Sequence, residues 1–331
     1  MQEITDTARD LMADGRGLLA MDESIGTCNH RFKALGIPGT EELRREYREL
    51  LLGTPGLGDA ISGAILCDET FRQARSDGSP MLDLAAKNGI LVGIKVDAGA
   101  VPMALHAGET LTEGLDGLRQ RLDFYFSRGA RFAKWRAVFR IDEVSPSRGS
   151  LDANATALAL YAGLCQEAGL LPIVETDVLM DGDHGIQRCY WATELALHAV
   201  FHALFAQRVD LTGVLLKPNM VLPGADSAEK DSVQEVALAT VQCLLASVPA
   251  AVPGIAFLSG GQTPELATAH LKAMNQGRHG TLPWPLTFSF SRALQGPVLP
   301  LWRGMAGNVA KAQQALLERA LANRAAVAPA P

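Results

Sequence analysis

Eight short runs rich in apolar and β-branched residues punctuate this 331-residue chain, each closed by a polar residue or a turn and most followed by a stretch of helical period. They are GRGLLAMD (15–22), ISGAILCD (61–68), ILVGIKVD (90–97), ARFAKWRAVF (130–139), LLPIVETDV (170–178), TGVLLKPN (212–219), GIAFLSGG (254–261) and PLTFSFSR (285–292). Between them EELRREYRELLL after the candidate cap Thr40, TEGLDGLRQRLDFYF, ATALALYAGLCQEAG, ATELALHAVFHALFAQ and SVQEVALATVQCLLAS read as helices, and NVAKAQQALLERALANR closes the series. Eight strand–helix units without a GxGxxG turn predict an α/β chain closed into a (β/α)8 TIM barrel, in preference to an open doubly wound sheet. No proline- or serine-rich linker and no internal repeat divides the body. The expectation is a single domain over 1–324 with a disordered tail, AAVAPAP, over 325–331.

With 48% hydrophobic and 20% charged residues, and no apolar run of about eighteen, the chain reads as a soluble globular protein and not a membrane protein. A net charge of −6 argues against a general nucleic-acid surface and leaves room for a local basic pocket that takes an anionic metabolite. The opening MQEITDTARDLMADGR has early acids and no basic-then-apolar progression, so it reads as a helix and not a signal peptide, and a cytoplasmic location is expected. Five cysteines without a CxxC pair suggest reduced thiols. His198 and His202 are spaced for one helix face, but the segment is amphipathic and lacks the glutamate of HExxH, so no metal is expected there. GTPGLGD (53–59) has no phosphate-loop lysine and reads as a surface turn.

A barrel of this kind carries its site at the carboxyl ends of its strands. Polar residues collect there: Asp22 and Glu23, Asp68 and Glu69, Lys95 and Asp97, Lys134 and Arg136, Glu175 and Asp177, Lys217, Ser259, and Ser289 with Ser291 and Arg292. In GVLLKPNM, strand alternation turns Gly213, Leu215 and Lys217 to one face, and Pro218 leaves Lys217 extended at the strand end. From that segment alone Lys217 is either salt-bridged in the interior or a reactive amine. Three lysines and an arginine in one cavity repel each other, and desolvation adds to this, so one neutral, nucleophilic amine is expected. Lys217, after two leucines, is the most desolvated; Lys134 beside Arg136 and Lys95 beside Asp97 are read as staying charged. Glu175 is the leading acid/base, and Asp22 either takes a proton from a hydroxyl or holds a lysine charged. LSGGQ and FSFSRAL close the last two strands, where barrels often bind phosphate, and Ser259, Gly260, Gly261, Ser291 and Arg292 suit that task. Amine, proton shuttle and phosphate site together point to carbon–carbon cleavage or formation at a ketose phosphate through an iminium.

These residues resemble the class I fructose-1,6-bisphosphate aldolases over nearly the whole chain, in DESIGT (22–27), GIKVD (93–97), GETLTEGLDGL (108–118), FAKWR (132–136), DGDH (181–184), LLKPNM (215–220), FLSGGQ (257–262) and TFSFSRAL (287–294). The resemblance implies a barrel, no metal or other cofactor, and reversible cleavage of fructose 1,6-bisphosphate to dihydroxyacetone phosphate and glyceraldehyde 3-phosphate in glycolysis or gluconeogenesis. It implies Lys217 as the Schiff-base lysine and Glu175 as general acid/base, with Lys134 and Asp22 assisting proton transfer and cleavage. Ser259, Gly260, Ser289 and Arg292 then hold the phosphate of the ketone half, and Lys95, Ser24, Arg31 and Arg136 line the rest. A homo-oligomer, dimer or tetramer, is expected, with a phosphorylated sugar as partner and neither nucleic acid nor membrane.

Several positions depart from the family pattern. VEPE is VETD, so the second carboxylate is Asp177, withdrawn by one methylene from its partner. His30 stands where a lysine is usual, which ties anion affinity to an imidazole titrating near 6.5 if unperturbed. Ser291 replaces a glycine and Met21 a small residue, and both are expected to touch substrate fit. The chain ends at Pro331 without the tyrosine-ended tail of the animal enzymes, its last tyrosine being Tyr190, so carbanion protonation is expected to be served otherwise. The rival readings are an aldolase of the same mechanism for another ketose phosphate, a catalytically weak scaffold, and a metal-dependent aldolase.

Overall fold

The computed structural model describes residues 2–277 and 281–328. Its strands are β1 (Gly17–Met21), β2 (Ile61–Leu66), β3 (Leu91–Lys95), β4 (Gly99–Pro102), β5 (Thr110–Glu113), β6 (Phe132–Phe139), β7 (Leu171–Val178), β8 (Leu215–Pro218), β9 (Ile255–Phe257) and β10 (Leu286–Phe290). Eight of them close a barrel in the order β1-β2-β3-β6-β7-β8-β9-β10, every neighbouring pair parallel, and each expected run supplies one strand. The remaining two, β4 and β5, form a separate antiparallel pair. That pair corrects the reading of TEGLDGLRQRLDFYF as one helix. Gly114 and Gly117 have φ of 129° and 65°, which no helix residue adopts, so the helix starts only at Leu118 and the threonine-rich stretch before it pairs as a strand.

The other helices follow the expected segments with extended ends. Thr40 caps Glu41–Leu52 as expected. The helix Arg148–Glu167 begins before ATALALY because Ser147 caps it by accepting from Ser150 N–H. The last helix, Val309–Val327, runs on into the expected tail with Ala326 buried against the core, so 325–327 are helical, while 329–331 lie outside the described residues.

Strand alternation splits the core in two. Leu18, Ala20, Ile65, Phe132, Leu171, Ile173, Leu215 and Ala256 point into the barrel, and Ile4, Ala8 and Leu11 of the helix Gln2–Met12 pack onto them. The N-terminal helix therefore plugs the barrel at the amino ends of its strands. Each large apolar side chain so buried stabilises by about 1.5–3 kcal/mol. The Phe132 ring lies across β3, where a Cβ on Gly93 would come within 2.0 Å of it, so that position has room only for glycine. Leu19, Met21, Trp135, Val174 and Leu216 face outward onto the helices. Met21 thus points away from the interior and does not touch the substrate space, contrary to expectation, because it alternates with Asp22.

Among the described residues no helix is long and apolar enough to cross a membrane. The five cysteines are free, and His198 and His202 are exposed on the outer face of the helix Ile186–Ala206. In GTPGLGD, Thr54 and Leu57 are buried, so the turn is not wholly a surface one.

Candidate active site

The parallel register aligns Lys95 with Lys134, Arg136 with Glu175, and Glu175 with Lys217, bringing the charged strand ends to one rim. Lys217 is buried, with Nζ 3.1 Å from Glu175 Oε1; Glu175 Oε2 lies 3.1 Å from Lys134 Nζ, which reaches across the barrel to Asp22 Oδ2 at 2.7 Å. Two carboxylates and two lysine amines alternate along one chain of contacts. Burial penalises the Asp22 charge, but Lys134, Lys217 and Lys95 outweigh it and hold the carboxyl down at about 2. Glu175 is likewise pushed up by burial and brought below its ordinary value by Lys134, Lys217 and Arg136. Burial disfavours charge on Lys134, yet Asp22, Glu175 and Asp97 raise its pKa. These carboxylates, and not the neighbouring Arg136, are what favours the charged form of Lys134.

Arg136 instead embraces Asp177, donating from Nε at 2.8 Å and from Nη2 to the same oxygen. The shortened carboxylate therefore keeps its arginine. Lys95 Nζ lies 2.5 Å from Asp97 Oδ1 and donates to the Asp97 carbonyl at 2.7 Å.

On the other half of the rim the lining carboxylate is Glu23, held between Arg31 and Arg48. Ser259 is buried after β9, and Gly260 and Gly261 follow with φ of 55° and 88°. A Cβ on Gly261 would stand 3.3 Å from Arg292 Nη2. The Ser289 Oγ is buried with no hydrogen-bond partner among the described residues. Burial and the nearby charge of Arg31 lower the Arg292 pKa, the signature of a cation short of counter-charge. Ser24 caps the helix Ile25–Lys33 by accepting from Thr27 N–H at 3.2 Å, and Arg31 extends from that helix. Asp22, Glu23, Ser24, His30, Arg31, Lys95, Lys134, Arg136, Glu175, Asp177, Lys217, Ser259, Gly260, Ser289, Ser291 and Arg292 line one hollow of about 730 Å³. Gly261 lies just behind Arg292.

Three further residues, Glu23 in the lining of this hollow and Arg48 and Gln295 behind it, were given no role from sequence. Glu23 accepts from Arg31 at 2.7 Å, Arg48 at 2.5 Å, Ser291 at 2.6 Å and Gln295 at 2.9 Å. Arg48 comes from the helix Glu41–Leu52, where Arg44, Tyr47, Arg48 and Leu51 share the buried face. Arginines on an apolar stripe were the available signal. Gln295 was visible only as a residue one helical turn past Ser291.

A buried amine touching a carboxylate, with the Ser289 hydroxyl, unpartnered among the described residues, and the Arg292 guanidinium on the opposite rim, can bind a carbonyl compound bearing a phosphate and exchange protons with it. The family model described as fructose-bisphosphate aldolase class-I matches residues 3–329. The chain is 55% identical to a probable fructose-bisphosphate aldolase class 1 of Xanthomonas campestris pv. campestris, over 98% of this chain and 96% of that one. It is 49% identical to the cytosolic fructose-bisphosphate aldolase 4 of Arabidopsis thaliana, over 97% and 81%. Its fold matches the fructose-bisphosphate aldolase of Plasmodium falciparum, solved with TRAP and a small-molecule inhibitor, at a TM-score of 0.96 and 46% identity, over 98% and 94%.

Proposed function

The chain belongs to the class I fructose-bisphosphate aldolase family of lyases, and from that premise we propose that Lys217 is the amine through which it cleaves fructose 1,6-bisphosphate. The observation that carries the reading is the buried contact of Lys217 with Glu175. A proton moved along it leaves a neutral amine and a protonated carboxyl together. The amine adds to the ketone carbon; Glu175 returns the proton to the carbinolamine hydroxyl, which departs as water, and an iminium remains. Cleavage then needs a base for the C4 hydroxyl proton. Asp22, ionised and hydrogen-bonded to Lys134, supplies a carboxylate there, and Lys134 stabilises the oxygen charge that develops. The C3–C4 electron pair passes into the iminium as an enamine, and glyceraldehyde 3-phosphate leaves. Protonation at C3 and addition of water release dihydroxyacetone phosphate and restore Lys217.

Ser259, Gly260, Gly261, Ser289, Ser291 and Arg292 are read as donors to the ketone-side phosphate, and Ser24, Arg31, Lys95 and Arg136, with Asp177 holding Arg136, as the remainder of the substrate space. The Ser289 hydroxyl, without a hydrogen-bond partner among the described residues, supports the first set. Reduction with borohydride in the presence of fructose 1,6-bisphosphate, followed by peptide mass mapping, places the adduct on Lys217; substrate bound without an adduct there removes the assignment. A second reading, the same chemistry on another ketose phosphate, is favoured by one observation: the hydroxyl of Ser291 is committed to Glu23. Kinetics over several ketose phosphates decide, and no preference for the bisphosphate sinks the first reading.

A cytosolic location is supported by the cytosolic relative of Arabidopsis. Assembly into a homo-oligomer is supported by Phe205, Leu238 and Leu245 exposed on outer helices, and sedimentation tests it.

A further inference from the structure

Glu23 carries two arginines of unequal standing. Arg48 is buried, its Nη1 2.5 Å from Glu23 Oε2, and it also donates to the Glu23 carbonyl at 3.3 Å. Arg31 is on the solvent side with 27% of its side chain exposed, and it meets the other oxygen at 2.7 Å, where Ser291 and Gln295 also donate. Gln295 is fixed in turn by Tyr47, which donates to its amide oxygen at 3.0 Å, and by its own donation to the Ala20 carbonyl at 2.8 Å. Arg48 and Tyr47 thus belong to a buried scaffold under Glu23, whereas Arg31 and Ser291 face the hollow.

A carboxylate with one cation to itself holds it tightly, and an entering anion would have to strip that cation away against an unpaired buried charge. A carboxylate with a second, permanent cation can release the first. We infer that Arg48 is a positioning residue for anion binding: by neutralising Glu23 from below, it leaves the charge of Arg31 available to a phosphate in the hollow. The inference rests on reading Arg31 as an anion ligand. Glu23, Arg31 and Arg48 together carry one net positive charge. Arg48→Met makes the trio neutral, Glu23→Gln makes it doubly positive, and the double variant restores the original charge without either buried partner.

The test is the dissociation constant for inorganic phosphate, by calorimetry at fixed ionic strength, alongside KM and kcat for fructose 1,6-bisphosphate. Arg48→Met weakens phosphate binding and raises KM about tenfold with kcat within about threefold, Glu23→Gln tightens phosphate binding, and the double variant returns to within about threefold of the unmodified enzyme. Arg48→Lys, which keeps the charge and loses the fork, stays near the unmodified enzyme. Phosphate bound by Arg48→Met as tightly as by the unmodified enzyme overturns the inference. So does a double variant as weak as Arg48→Met, because Arg48 would then act only as packing. If Arg48→Met does not fold, Glu23→Gln decides alone, and unchanged or weaker phosphate binding overturns the proposal. Arg31→Met separates the premise: phosphate binding unaffected there removes Arg31 as an anion ligand, whereas weakened binding there with none in Arg48→Met removes only the role of Arg48.

Discussion

The two ends of the barrel are built from the same strands and differ in what a side chain needs from its neighbours. At the amino end Phe132, Ile173 and Leu215 pack on one another and on Ile4, Ala8 and Leu11 of the plugging helix. Two residues further along the same strands and on the same face stand Lys134, Glu175 and Lys217, each buried and each dependent on the charge of the next. Apolar contacts at the closed end are non-directional and add up locally. Charges at the open end are stable only as a set. Stability and chemistry are therefore separable along a single strand, and substitutions at each end should be read by different instruments.

The largest effect belongs to the open end. Lys217→Met removes the nucleophile, and kcat for fructose 1,6-bisphosphate falls by about 10⁴-fold or more. Borohydride then traps no adduct at position 217, and residual turnover near that of the unmodified enzyme would mean that the chemistry lies elsewhere. The closed end answers in stability. Phe132→Ala empties the space over Gly93 and lowers unfolding free energy by about 3–5 kcal/mol, while KM stays within about threefold wherever the protein remains folded. A large rise in KM would show that the plug shapes the site after all.

A third experiment sets the ends against each other by pH. The Asp22 carboxyl ionises lower in the fold, at about 2, than its ordinary 3.8, so its stabilisation is complete above that ordinary value and is lost as pH falls toward 2. The unmodified protein should exceed Asp22→Asn in stability by on the order of 2 kcal/mol above pH 4, and the gap should close below pH 2. Denaturant midpoints across this range test it, and a pH-independent gap would assign the difference to packing.

How much of this was legible follows from the range of each interaction. Strand alternation is local, so Lys134, Glu175 and Lys217 could be placed on the inner face of their strands from sequence. Which carboxylate meets which ammonium depends on register and on closure across the barrel, as Asp22 to Lys134 shows. Glu23 and Arg48 went unassigned because the spacing that sets Arg48 on the buried face with Arg44 and Tyr47, and leaves Arg45 less deeply buried, does not say which carboxylate Arg48 meets. The β4–β5 pair was missed where apolar spacing suited a helix and two glycines of positive φ decided otherwise. Met21 was misjudged for the opposite reason: alternation already turned it outward, and the resemblance drew attention to its identity instead of its face.

The smallest effect sharpens the contrast most, because it compares a single methylene at each end of β7. Ile173→Val removes one from the apolar interior and costs about 0.5–1.5 kcal/mol of stability with no change in KM. Asp177→Glu adds one at the mouth. Asp177 holds an Arg136 whose side chain is 42% exposed, so the arginine has solvent to move into as the carboxylate advances. The pair persists, stability changes by less than about 0.5 kcal/mol, and KM for the bisphosphate shifts by no more than about threefold as Arg136 is repositioned. Parallel denaturation and kinetics on the two variants decide it. Should Asp177→Glu cost as much stability as Ile173→Val, the mouth is packed as tightly as the plug, and the separation of the two ends does not hold along this strand.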